Sequence, residues 1–98
     1  MIVSVKPKRM AVNFPNLSRS FDAAKNRIRF WGYDSAMEIS FFVEADALRK
    51  IDPETSNDEA GYLTTFDTTR ERIHEIANEV YGRGSKGSYT YVLAAAHF

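Results

Sequence analysis

The chain has 98 residues, 44% of them apolar, enough for one small domain with a single core; no run of about 18 apolar residues is present, so no membrane-spanning helix is expected. It has no cysteine and two distant histidines, which excludes a disulfide framework and a thiolate zinc site, and the start MIVSVKPKRM lacks the apolar run of a secretory signal, so a cytoplasmic location is expected. The net charge of +0 hides a balance of +6 over residues 1–29 and −8 over residues 34–79, which gives no overall support to nucleic-acid binding.

Residues 1–9 read as a flexible basic N-terminal arm, in which Ile2, Val3 and Val5 give way to Lys6, Lys8 and Arg9 around Pro7. Residues 10–98 read as a single α+β domain. Met10 to Phe14 forms a short strand that ends at Pro15, because the residue before a proline is pushed toward extended geometry. Asn16 to Asn26 is turn-like, since Ser18, Ser20, Asp22 and Asn26 can all bond nearby backbone, with Phe21 folding back onto the core.

Arg27 to Val43 carries the clearest signal, a β-hairpin with period-2 alternation in both arms. Ile28 and Phe30 share a face with Met37, Ile39, Phe41 and Val43. Arg27, Arg29, Trp31 and Tyr33 point the other way, with Glu38, Ser40 and Phe42. Gly32, Tyr33, Asp34 and Ser35 supply the turn.

After Val43 the period lengthens. Glu44 to Ile51 makes a short helix with acids in its first turn and Arg49 and Lys50 in its last, as the helix dipole favours, and Asp52 and Pro53 stop it. Ser56 to Glu59 spells a capping box for the next helix. From there to Tyr81 the apolar positions Leu63, Phe66, Ile73, Ala77 and Val80 recur at helical spacing, with Tyr62 and Ile76 widening the stripe. Thr68 to Glu71 offers a second box, so the segment is one bent helix or two meeting near Asp67; one bent helix is the preferred reading. Gly82, Gly84 and Gly87 end it, and Ser88 to Phe98 returns as a strand beside the hairpin.

The order β-β-(β)-α-α-β implies an α+β fold of two layers, an antiparallel sheet of three or four strands with two helices packed on one face.

Taken together, Phe14, Pro15, Asn16, Phe21 and Asp22, the strand RIRF, the second arm leading into EADALRKI, and Phe66, Arg70, Ile73, Ala77 and Tyr81 at helical spacing resemble a bacterial family of short proteins, about 90 residues long, known only as a domain of unknown function. The resemblance covers about Val12 to Val92. It implies a two-layer α+β fold and no activity, cofactor or catalytic residue.

Glu71, His74 and Glu75 lie within one helical turn, but a carboxylate-bridged metal site needs a second such pair, so a solvated helix face is expected and no metal or cofactor. Without cysteine or a nucleophile elbow, an enzyme is not expected. The loop GRGSKG holds two cations, Arg83 and Lys86, yet it follows a helix, and anions bind at helix starts. Those two side chains are expected to satisfy helix carbonyls. Arg70 interrupts the apolar stripe and is expected to lay its stem on the core and reach a carboxylate such as Asp67, with a ligand-reading arginine as the alternative.

Arg27, Arg29, Trp31, Tyr33 and Phe42 share the outer face of the hairpin, for which only the N-terminal arm or the C-terminal tail with Phe98 is available as cover. Aromatics beside arginines on an uncovered face point to a non-enzymatic protein-interaction or self-association module, with a homodimer as one form. The alternative is single-stranded nucleic acid stacked on Trp31 and Tyr33 with Arg27 and Arg29 on phosphate.

Overall fold

A computed structural model of the chain describes residues 11–84 and 88–98, so the arm at residues 1–9, Met10 and Lys86 lie outside the described residues. Three strands open the fold: β1 (Arg19–Asp22), β2 (Arg27–Asp34) and β3 (Met37–Glu44). Both neighbouring pairs are antiparallel, with Phe21 opposite Ile28, and Phe30 opposite Phe41. β1 lies inside the stretch expected to be turn; only Phe21 in it is large and apolar, which left no alternation to read.

The hairpin turn also differs from expectation. Asp34 pairs with Met37, so the loop is the two residues Ser35 and Ala36, and Gly32 belongs to the strand opposite Ile39. Ser35 takes φ 56, the positive value that a two-residue hairpin loop requires. Met37, at the mouth of that turn, is 44% exposed although it shares the parity of the buried face.

Three helices follow: α1 (Ala45–Ile51), α2 (Glu59–Thr68) and α3 (Arg70–Arg83). Asp58, not Ser56, caps α2, its carboxylate accepting from the Gly61 N–H at 2.7 Å. Thr69 separates α2 from α3, so the segment is two helices where one bent helix is the preferred sequence reading. The side-chain hydroxyls of Thr68 and Thr69 both donate to the Thr65 carbonyl, which also accepts the Thr69 N–H. Such competition for one carbonyl bends a helix. Backbone bonding nonetheless continues across the joint, from Thr69 N–H to Thr65 and from Ile73 N–H to Thr69. No capping box forms at the start of α3, whose N-cap Thr69 makes no side-chain cap bond.

The chain closes with β4 (Thr90–Leu93) and a short 3-10 helix, Ala95–His97. β4 runs parallel to β3, with Tyr91 beside Phe41 and Leu93 beside Val43. The sheet is therefore mixed, in the order β1-β2-β3-β4, and not antiparallel throughout. The helical crossover returns the chain to the starting end of the sheet, which is what a parallel pair needs. The α+β class holds with three helices in place of two.

The core lies between the helices and one sheet face. Ile28, Phe30, Ile39, Phe41, Val43 and Leu93 from the sheet meet Ala47, Leu48, Tyr62, Phe66, Ile73 and Ala77 from the helices, all buried. Ile51, Leu63 and Val80 pack on its margin. Tyr62, expected only to widen the stripe, is wholly enclosed; its hydroxyl donates to Asn57 and accepts from Arg49, which ties the loop before α2 to α1.

Before β1 the chain runs as a strap beside the end of β2. Asn13 exchanges two backbone bonds with Tyr33, at 2.9 and 2.8 Å; among the described residues 11–14 of the strand expected at Met10 to Phe14, this isolated bridge is the pairing that forms. Val12 is buried, and Phe14 packs on Phe30 and Phe41 with ring centroids 5.7 and 5.8 Å away. Space for the strap exists because Gly32 has no side chain. A Cβ there would stand 2.6 Å from the Asn13 carbonyl oxygen and 2.7 Å from Val12 Cγ1.

Gly32→Ala should therefore lower stability by about 1–3 kcal/mol, the usual cost of overpacking, read from urea unfolding. A midpoint equal to that of the native protein would show that the strap does not sit against Gly32.

Candidate functional site

The register that buries Ile28 and Phe30 sends the alternate residues of each strand outward. Arg27 faces Asp22 on one side and Glu44 on the other; Arg29 faces Ser20 and Phe42; Trp31 faces Ser40; Tyr33 faces Glu38. Val92 of β4 stands beside Phe42 and is 40% exposed. The five sequence-marked residues Arg27, Arg29, Trp31, Tyr33 and Phe42 thus share one face. No helix among the described residues packs there, since the buried faces of α1, α2 and α3 all join the core on the other side. The C-terminal tail is not its cover: Lys50 of α1 donates to the Ala95 carbonyl at 3.1 Å, and Phe98 packs against the core.

On this face the arginines lie over rings. The Arg27 guanidinium carbon is 3.7 Å from the Phe42 ring centroid, and that of Arg29 is 4.6 Å from Trp31. A cation over a ring is worth about 0.5–1 kcal/mol at an exposed site. Their polar edges are taken as well. Arg27 Nε donates to Asp22 at 3.1 Å, while Arg29 Nη2 donates to Ser40 Oγ at 3.2 Å and pairs with Glu38 at 3.6 Å. The result is a firm surface of aromatic and aliphatic patches bordered by fixed charges of both signs.

Glu38 and Ser40 share this face as the hairpin's alternation indicates, whereas Asp22 and Val92 join it only through the β1–β2 pairing and the parallel β3–β4 register, neither of which the sequence shows.

The secondary candidates lie elsewhere. Arg70 places its guanidinium carbon 4.8 Å from the Phe66 ring centroid and donates to Asp67 at 2.9 Å and to the Leu17 carbonyl at 3.1 Å. Asp67 also accepts two bonds from Arg19, at 2.9 and 2.7 Å, and these bonds, then the two cations, hold its carboxyl below the usual range. An open cleft of about 680 Å³ beside Arg70 is lined by Leu17, Asp67, Thr69, Glu71, Arg72 and Glu75, a mixed surface with charges of both signs. Arg83 ends α3, exposed. Lys86 and the rest of the second half of the loop GRGSKG, residues 85–87, lie outside the described residues. His74 stacks on Phe14 and does not join Glu71 and Glu75 in a metal centre; among the described residues no group of three histidine or carboxylate side chains is placed to hold a metal ion.

The model of a family described as "Protein of unknown function (DUF1488)" matches residues 12–93. A solved structure of a protein of unknown function from that family, from Shewanella loihica PV-4, is 18% identical and superposes with a TM-score of 0.69 over 86% of this chain and 94% of that chain. At that identity the likeness is one of fold. No curated protein matches the sequence.

Arg29→Ala should uncover the single tryptophan. Acrylamide quenching of half-buried Trp31 should rise, while stability falls by about 1 kcal/mol, the scale of a surface cation–ring contact. Unchanged quenching would place the guanidinium away from the ring.

Proposed function

The chain belongs to the DUF1488 family of proteins of unknown function, and on that footing we propose that it is a non-enzymatic self-association module whose contact surface is the outer face of its sheet. The observation that supports this reading is the grouping of Trp31, Tyr33, Phe42 and Val92 on a face that no described helix covers, with arginines already paired among them. Aromatics and arginine are the residue types that dominate interface centres.

The charge pattern favours a second copy as the partner. Arg27 and Arg29 form a row on β2, between Asp22 on β1 and Glu38 and Glu44 on β3. A twofold contact sets the same patch against itself, and a patch with adjacent positive and negative rows is its own complement. Single-stranded nucleic acid fits less well. Three carboxylates accompany two arginines, the guanidiniums are engaged within the chain, and the Trp31 face that a base would need is occupied by Arg29.

Sedimentation of the native protein from about 1 to 100 µM should show a monomer–dimer equilibrium, the range in which a modest interface is half formed. Arg29→Glu and Glu38→Arg should each weaken it about tenfold, and the double exchange should restore it. A monomer throughout that range would contradict the reading. Quenching of Trp31 by mixed oligonucleotides at low salt, lost on adding salt, would favour nucleic acid instead.

A further inference from the structure

The strap at residues 12–17 is held from one side by a single stripe of α3. Arg70, His74 and Asn78 stand one turn apart on that helix, and each takes a different part of the strap. Arg70 donates to the Leu17 carbonyl at 3.1 Å. The His74 ring stacks on Phe14 with centroids 3.9 Å apart and planes 10° from parallel. Asn78 presents its amide as a strand would: Oδ1 accepts from the Val12 N–H at 2.8 Å and Nδ2 donates to the Val12 carbonyl at 3.2 Å. From the other side Tyr33 exchanges both backbone bonds with Asn13. Of these holds, the main-chain bonds do not titrate. The ring stack does.

We infer that residues 12–17 form an acid-released latch: neutral His74 keeps Phe14 seated, and on protonation the imidazolium leaves the stack, so that the strap detaches while the sheet stays folded.

The surroundings of His74 support this. Phe14 faces it from the strap, and Phe30 from β2, at 5.8 Å between centroids. Arg70 lies one turn before it on α3, with its charge balanced by an Asp67 that Arg19 of β1 also uses. Glu71 and Glu75 flank it on the helix and are exposed, and among the described residues no carboxylate pairs with the imidazole. A proton added there loses hydration and meets a like charge. A cation over the Phe14 ring recovers part of this, but burial, with Arg70 second, still pushes the imidazole down to about 4. Because the folded value lies below the unfolded value of about 6.5, the hold is complete above that pH and is lost as pH falls from there toward 4. Release leaves the β1, β2 and β3 pairing intact, since among the described residues the strap's backbone bonds to the sheet are those of Asn13. It exposes the bare backbone at Gly32 and the edge groups of Tyr33.

Amide hydrogen exchange of the whole chain, followed by NMR between pH 7 and 4.5 and corrected for intrinsic rates, tests the latch. Val12 and Asn13 should lose protection by about tenfold or more while Ile28 and Phe41 keep theirs. His74→Phe, which retains a stacking ring without a proton site, should remove the pH dependence. Asn78→Ala should lower strap protection at every pH and leave the dependence in place. The latch is overturned if Val12 and Asn13 stay protected to pH 4.5, if Ile28 and Phe41 fall in parallel with them, or if the dependence survives in His74→Phe.

Discussion

Phe30 opposite Phe41 and Ile28 opposite Val43 place the apolar members of both hairpin arms on one side of the sheet. Side chains alternate strictly along a strand, so a slip of one residue would turn Arg29 and Trp31 inward and leave the helices with nothing apolar to cover. That register decides the rest. It creates the floor on which Leu48, Tyr62, Phe66, Ile73 and Ala77 pack, and it assembles the row of arginines and rings outside. The same alternation that buries the core makes the candidate contact surface.

A second constraint acts at the end of β2. The position opposite Ile39 is Gly32, and the space a side chain would fill is taken by Val12 and Phe14. The core is thus completed by a segment that precedes the sheet and is fixed to it by one backbone bridge. The remaining hold comes from α3, through Asn78, His74 and Arg70. Tyr81 of the same helix donates to Asp34 at the tip of the hairpin, so α3 grips both the strap and the strand beside it.

Much of this was legible in the sequence, and the exceptions have physical causes. Strict alternation exposed the hairpin and its two faces, and the change of period after Val43 marked the helices. Alternation of Tyr91 with Val92 marks a strand but not its direction, so the parallel pairing of β4 was not readable. Helical bonding runs on through Thr69, and the apolar stripe runs with it, which favoured one bent helix over the two that the second Thr68–Glu71 box also allowed. Ser56 and Glu59 have the spacing of a capping box, yet Asp58 caps the helix because it stands immediately before the first helical residue. Asp22 and Glu38 as partners of Arg27 and Arg29 follow only from tertiary register. Asn78 sits beside the apolar stripe of α3 and gave no sign that its amide would bond a strap 66 residues away.

An aromatic and arginine surface whose charges are already balanced within the chain suits a partner of the same pattern better than a polyanion. The most direct measurement is a set of backbone amide shifts from ¹⁵N-labelled protein, recorded on dilution from about 1 mM to 20 µM at constant pH and salt, a range that spans weak association. Shifts that change with concentration at Arg27 to Tyr33, Ser40, Phe42 and Val92 are the predicted result. Spectra that do not change, or changes confined to helix positions such as Arg72 and Glu75, would contradict the account.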